Sequence, residues 1–318
     1  LVRSSTQQQN LRENSSTTPI EEREKIKNDF EKMINKNFLM RQFKTKILNK
    51  IEETEDLEVY FYEKLSNIIN VNFPDFFGSY KIDKKISFIM NDLTEKYGSF
   101  NIDLNTNIKL LLSLVENIFN MHNKFYFKND NDIIISMKQL KKVNEITYYK
   151  ELINDRFDVF LKKNNKLLTN NEKTMLKDIY NNFDDVIRYS SEFPLSFCHG
   201  DFKSPNIFYE NNENPYFLDW QYIHLDKGIS DIVFLLVESL DFDEKTSDLV
   251  LNYYFKLIKE KRQEITFDII KKDFKNSLCI FPFFVMIWFN SEEQNKLLDK
   301  TFPIKFMKNL LKYYNYYL

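Results

Sequence analysis

Glycine is nearly missing from this chain: 4 of 318 residues, where ordinary usage would give about 22. The closest pair, Gly78 and Gly98, lies 20 residues apart, so no loop of several glycines wraps a phosphate group within it. Collagen-like and Gly/Ser-linker architectures are excluded on the same ground. Cysteine is almost as scarce. Cys198 and Cys279 are too few for a disulfide scaffold and read as buried thiols of a reducing, cytoplasmic compartment. With three histidines and no Cys-x-x-Cys, a zinc site is not expected.

Excess charge is missing too. The 45 Lys+Arg balance 47 Asp+Glu to a formal charge of −2, which leaves no basic footprint for nucleic acid. The longest apolar run, Leu278–Phe289, contains Pro282 and is 12 residues long, short of the roughly 20 that cross a bilayer. No membrane span is expected, and that run reads as a core helix. What remains is ordinary for a folded protein, with 43% hydrophobic and 29% charged residues.

The polar stretch 4–18 has no periodicity and reads as a loop or disordered segment rather than a signal peptide, in a chain whose first residue is Leu1. Pro19 followed by Glu21, Glu22 and Glu24 marks a helix start, and apolar residues at three- to five-residue spacing extend that helix over 19–53. A second helix begins near Asp56 and carries Leu57, Phe61 and Leu65. Phe73–Ile82 and Lys85–Asn91 read as two strands, 105–126 as a strongly apolar helix, and 146–190 mostly as helices. Residues 129–145 have no clear pattern. From Ser230 to Leu318 the texture is helical again.

Between Phe197 and Asp231 helical periodicity gives way to short apolar runs and clustered ionisable groups. Ile207–Tyr209 and Tyr216–Leu218 flank the Asn-rich, Pro-ended turn 210–215, which predicts a hairpin. Pairing Ile207 with Leu218 sets Asn206 opposite Asp219, about 5 Å apart. An amide oxygen and a carboxylate meeting there suit a hard divalent cation such as Mg²⁺. Asp201, on the incoming loop, is then free to act on a substrate proton, as phosphoryl transfer requires.

His199-Gly200-Asp201, then Asn206 and Asp219, resembles the catalytic segment of the aminoglycoside phosphotransferase and choline kinase-like enzymes, nearest to their ecdysteroid-kinase-like branch. Asp219-Trp220-Gln221, Gly228 and Asp231 continue the resemblance downstream. Upstream, Glu58–Leu65 looks like the helix whose Glu pairs a nucleotide-binding lysine, and Ile86–Leu93 like the strand leading into the hinge over adenine.

The resemblance implies an α+β, protein-kinase-like fold of two lobes: an N-terminal nucleotide-binding lobe over 1–93 and a mostly helical C-terminal lobe over 94–318 that holds the catalytic and substrate sites. It implies ATP and Mg²⁺ as cofactors and a small-molecule hydroxyl as acceptor. Asp201 is the implied catalytic base, braced by His199; Asn206 and Asp219 are the implied metal ligands. Lys203 either steadies the transferred phosphoryl group or is simply solvated. Glu58, Met90, Asn91 and Leu93 fall in the nucleotide site, while His122 and Asp231 are implied to be structural.

Residues 1–77 contain no glycine, whereas the family places a phosphate-covering loop and a strand lysine before the helix of Glu58. Those strands either precede Leu1 or are lost. Arg3 stands in for the lysine if residues 1–5 end that strand; Lys44 is the rival, against which its helical surroundings argue. Two expectations follow: a small-molecule kinase, or a kinase-like binding protein with weak or no catalysis.

Overall fold

The computed structural model describes residues 57–82, 85–93, 103–146, 148–210, 213–280 and 302–317. The expected 19–53 helix, Arg3, Lys44 and the 281–289 part of the apolar run lie outside the described residues. Helix α1 covers 57–65 and turns from α to π geometry over Phe61–Leu65. Strands β1 (Phe76–Ile82) and β2 (Lys85–Met90) pair antiparallel, with a register shift between Phe76 and Gly78. The first strand starts later than expected. Pro74 has no N–H to give a ladder, and Asn72 instead bridges to Tyr216.

Helix α2 (Ile108–Lys124) follows, its N-terminus closed by the Asn107 side chain accepting from Leu110 N at 3.1 Å. The patternless 129–145 stretch is a chain of three 3-10 turns over Asp130–Asp132, Ile135–Met137 and Val143–Glu145. Strand β3 (Tyr126–Phe127) precedes it, and helices α3 (Tyr148–Lys163), α4 (Asn170–Asn181) and α5 (Phe183–Ser190) follow. A Thr169/Glu172 capping box starts α4.

Strand β4 (Leu195–Cys198) then enters the core, buried at every position, and lies between β3 and β7 (His224–Asp226) in an antiparallel sheet. Between β4 and β7 the chain makes the expected hairpin, β5 (Ile207–Glu210) with β6 (Asn214–Phe217). The helical texture expected from Ser230 resolves into separate helices. Helices α6 (Ile229–Ser239), α7 (Glu244–Lys261), α8 (Phe267–Leu278) and α9 (Phe302–Tyr317) are the described pieces. Asp243 and Thr266 cap two of the breaks.

Helix α6 is buried at every position from Ile229 to Val237. A helix apolar all round belongs inside, and this one is the axis of the helical part, with α8 and α9 packed on it and α7 resting on α2. Cys198 and Cys279 are buried free thiols, as expected. Among the described residues no helix is long and apolar enough to cross a membrane.

Candidate active site

The site begins at a buried carboxylate. Asp231, in the first turn of α6, accepts from His199 N (2.8 Å), Gly200 N (2.9 Å) and His122 Nε2 (2.9 Å). Burial drives its carboxyl upward, yet the hydrogen bond and charge of His122 more than offset this, and its pKa is lowered. The positive end of the helix favours the same anion. His122, Cys198 and Asp231 lie close enough to resemble a metal cluster, but three donors already occupy the two oxygens of Asp231. The group is a hydrogen-bond hub that anchors the 199–201 loop.

Two of the rare glycines sit against this hub. Gly200 has φ +81, and a Cβ there would stand 2.1 Å from the Tyr222 carbonyl oxygen. Gly228, just before α6, lets the His122 ring and the Tyr254 hydroxyl approach to 2.8 Å of where its Cβ would be. Beneath Gly200 a cavity of about 30 Å³, lined by His224, Asp226 and Phe234 among others, has room for about one water rather than an acceptor molecule.

Asp201 follows and is 2% exposed. Its Oδ2 accepts from Lys203 Nζ at 2.8 Å and from Asn206 Nδ2 at 2.9 Å. Its Oδ1 is buried without a hydrogen-bond partner among the described residues. Burial pushes this carboxyl up to about 7; the Lys203 charge opposes the rise and the like charge of Asp219 adds to it. Asn206 Nδ2 also donates to the Asp201 backbone oxygen at 2.8 Å. With its amide hydrogens spent on Asp201, Asn206 is left with Oδ1 as the group to offer elsewhere. Lys203 is therefore paired with Asp201 rather than simply solvated.

His199 is fully buried. Asp201 N donates to its Nδ1 at 3.2 Å, so Nε2 carries the proton and donates to the Leu218 carbonyl at 3.0 Å. Burial lowers its pKa to about 4, so the ring is neutral at physiological pH. It ties the 199–201 loop to the end of the hairpin.

The hairpin register differs from the expected one by a residue. Ile207 pairs with Phe217, and Leu218 N donates to Asn206 O at 2.9 Å, which puts Leu218 opposite Asn206. Pro215 ends no turn; it pairs with Tyr209 near the start of β6, a position that spares proline a mid-strand donor. A one-residue slip alone turns a side chain to the other face. Asp219 adopts a left-handed conformation instead (φ 66, ψ 62), a region that aspartate visits more readily than most residues, and its charge is felt at Asp201 and at Tyr62.

Trp220 comes next and is fully buried. It stacks on Phe61 with centroids 3.8 Å apart and planes 5° from parallel, and it leans on His199 at 4.5 Å. Aromatic contacts of this kind add about 0.5–1.5 kcal/mol beyond burial. They join α1 to the 199–201 loop.

Of the expected nucleotide-site residues, Met90 and Leu93 are buried, and Leu93 packs on Phe208 with Tyr216 and Leu218 alongside. Asn91 is turned to Asp75, donating by N at 2.8 Å and by Nδ2 at 3.1 Å. Glu58 lies on α1, one helical turn before Tyr62, whose hydroxyl stands in its field. Two features escaped the sequence reading. Ser204 N donates to Ser239 Oγ at 2.7 Å, and Ser239 Oγ to Glu238 Oε2 at 2.9 Å, which fastens the loop to the far end of α6. Tyr62 is the other. Nothing in sequence spacing marks either one.

A sequence model of the ecdysteroid kinase-like family matches residues 73–267. No curated protein matches the chain by sequence. Among solved structures, the GDP complex of wild-type aminoglycoside 2'-phosphotransferase-IIIa is similar at 14% identity and TM-score 0.55, over 84% of this chain and 83% of that one. Choline kinase LicA from Streptococcus pneumoniae is similar at 14% identity and TM-score 0.51, over 85% and 83% of the two chains. LicA in complex with AMP gives 16% identity and TM-score 0.50, over 86% and 82%. At such identities the likeness is one of fold: α+β, kinase-like, with two lobes.

Proposed function

Because the chain belongs to the ecdysteroid kinase-like family, we propose that it is an ATP- and Mg²⁺-dependent kinase that phosphorylates a hydroxyl of a small molecule. The observation that carries the reading is the buried, unpartnered Oδ1 of Asp201, with the other oxygen of the same carboxylate held by Lys203 and Asn206. A buried acceptor left open costs stability unless a substrate hydrogen fills it. The acceptor hydroxyl donates to Oδ1, which aligns its oxygen for attack and takes its proton as the bond to the γ-phosphorus forms and the bond to the bridging oxygen breaks, releasing ADP. His199, held neutral, fixes the backbone beneath.

The donor set fits a magnesium ion. Asn206 offers Oδ1 because its amide hydrogens face Asp201, and Asp219, whose charge is felt at Asp201, supplies a carboxylate; both are hard oxygen ligands. Bound there, the ion would neutralise charge on the nucleotide phosphates. Leu93 and Phe208 form an apolar pair suited to the face of a base. Two structural relatives are GDP and AMP complexes, which supports nucleotide binding by this fold.

The direct test is turnover of ATP with a panel of small alcohols, amino alcohols and aminoglycosides. Phosphorylated product that requires Mg²⁺ is expected. Its rate should climb with pH through about 7 as Asp201 loses its proton, then level off. Lys203→Met should move that midpoint upward, because the lysine charge holds the Asp201 pKa down; an unmoved midpoint would remove Asp201 as the titrating base. The second reading, a kinase-like binding protein without transfer, is motivated by the lack of glycine in residues 1–77. It predicts nucleotide binding with no phosphorylated product at any pH.

A further inference from the structure

Tyr62 occupies the π turn of α1, geometry that recurs at functional sites. Its ring lies parallel to Phe76 (5.2 Å, 4°) and meets Phe61 edge-on at 5.2 Å, so the residue is 3% exposed. Its hydroxyl is buried and makes no hydrogen bond among the described residues. A phenylalanine would fill the same space without that unsatisfied group, so packing alone gives no reason for the oxygen. Phe61, the preceding residue, stacks on Trp220, the residue after Asp219. That stack brings the turn carrying Tyr62 beside the proposed cation site. Burial, together with the charges of Glu58 and Asp219, holds the phenol protonated, so it is a donor within reach of the Asp219 charge.

We propose that Tyr62 is a positioning residue of the metal–nucleotide site, its hydroxyl donating to an oxygen in the coordination shell of the cation held by Asn206 and Asp219. The inference rests on the kinase reading above. That oxygen belongs either to a metal-bound water or to a nucleotide phosphate; the chemistry is the same, and the test separates the two.

The variant is Tyr62→Phe, compared with wild type and with Asp219→Asn as the control for the metal site. Mn²⁺ binding is followed by electron paramagnetic resonance with and without ATP, and thermal unfolding is followed without ligand. Tyr62→Phe should unfold at the same or a higher temperature than wild type while losing about tenfold in cation affinity, the weight of one hydrogen bond. A loss already present without ATP identifies a metal-bound water; a loss that needs ATP identifies a phosphate. Wild-type affinity in both arms, with Asp219→Asn impaired, overturns the role of Tyr62 and leaves the kinase reading standing. A lower unfolding temperature also overturns it, since the hydroxyl would then serve the fold. If wild type shows no cation-dependent ATP binding, or Asp219→Asn binds as wild type does, both readings fall together.

Discussion

Asp201→Asn should lower phosphoryl transfer by about 10²–10⁴-fold, the usual weight of a positioned general base, while making the folded chain more stable above neutral pH. The two effects share one cause. The Asp201 carboxyl is buried, has one oxygen unpartnered, and titrates near 7 in the folded state against 3.8 for an unperturbed aspartate. A folded pKa raised above the unfolded one means that the folded state holds the proton more tightly. The associated stability is fully present below about pH 4 and is lost as pH rises through about 7.

Asparagine cannot lose that proton. Its side chain can still accept from Lys203, which is 24% exposed and free to relax toward water. The gain at pH 8 should be about 2 kcal/mol, or several degrees in unfolding temperature. Unfolding curves of both proteins from pH 5 to pH 8 should therefore diverge as pH rises. Parallel curves, or turnover within a few-fold of wild type, would contradict the assignment.

The second large effect is structural and has the opposite pH sign. Asp231 is 1% exposed and satisfies two loop N–H groups and one imidazole. Asp231→Ala leaves all three donors buried without an acceptor, and the expected loss is about 3–5 kcal/mol, as for a broken buried charged pair. Asp231→Asn keeps one carbonyl oxygen and should lose less. The pKa of Asp231 is lowered on folding, so its contribution is present above the unfolded carboxylate pKa, about 4, and disappears as pH falls through the lower folded value. Acid unfolding followed by circular dichroism checks this: wild type should unfold on acidification, whereas the alanine variant starts weaker and responds less. Equal stability of wild type and Asp231→Ala at pH 7 would mean that the loop is held by other contacts.

Much of this site was legible in the chain because its chemistry is local. Asp201, Asn206 and Asp219 lie within one segment, and Lys203 sits two residues from the aspartate it pairs with. Element positions followed from periodicity: the helix expected over 105–126 forms over Ile108–Lys124, and the two early strands appear with their turn in place. The sequence predicts the hairpin but one residue out of register, because the Pro-ended turn it suggests is replaced by Pro215 pairing with Tyr209 in the ladder. Strand pairing depends on which carbonyls meet which amides, and Asn72, far upstream, contributes by accepting from Phe217 N at 2.8 Å.

Four glycines in 318 residues exclude a glycine-rich phosphate loop within these residues, and clustered carboxylates, amide and lysine mark the candidate segment; the sequence alone determined that much, because composition and short-range spacing suffice for it. Only the tertiary structure decided how those groups face one another. His122 reaches Asp231 across 109 positions and Asp231 reaches His199 across 32. Asp219 is aimed by a left-handed backbone turn rather than by strand pairing. The open oxygens of Asp201 and Tyr62 are visible only once their neighbours among the described residues are placed. Hydrogen bonding and burial depend on residues distant in the chain, and local periodicity carries no record of them.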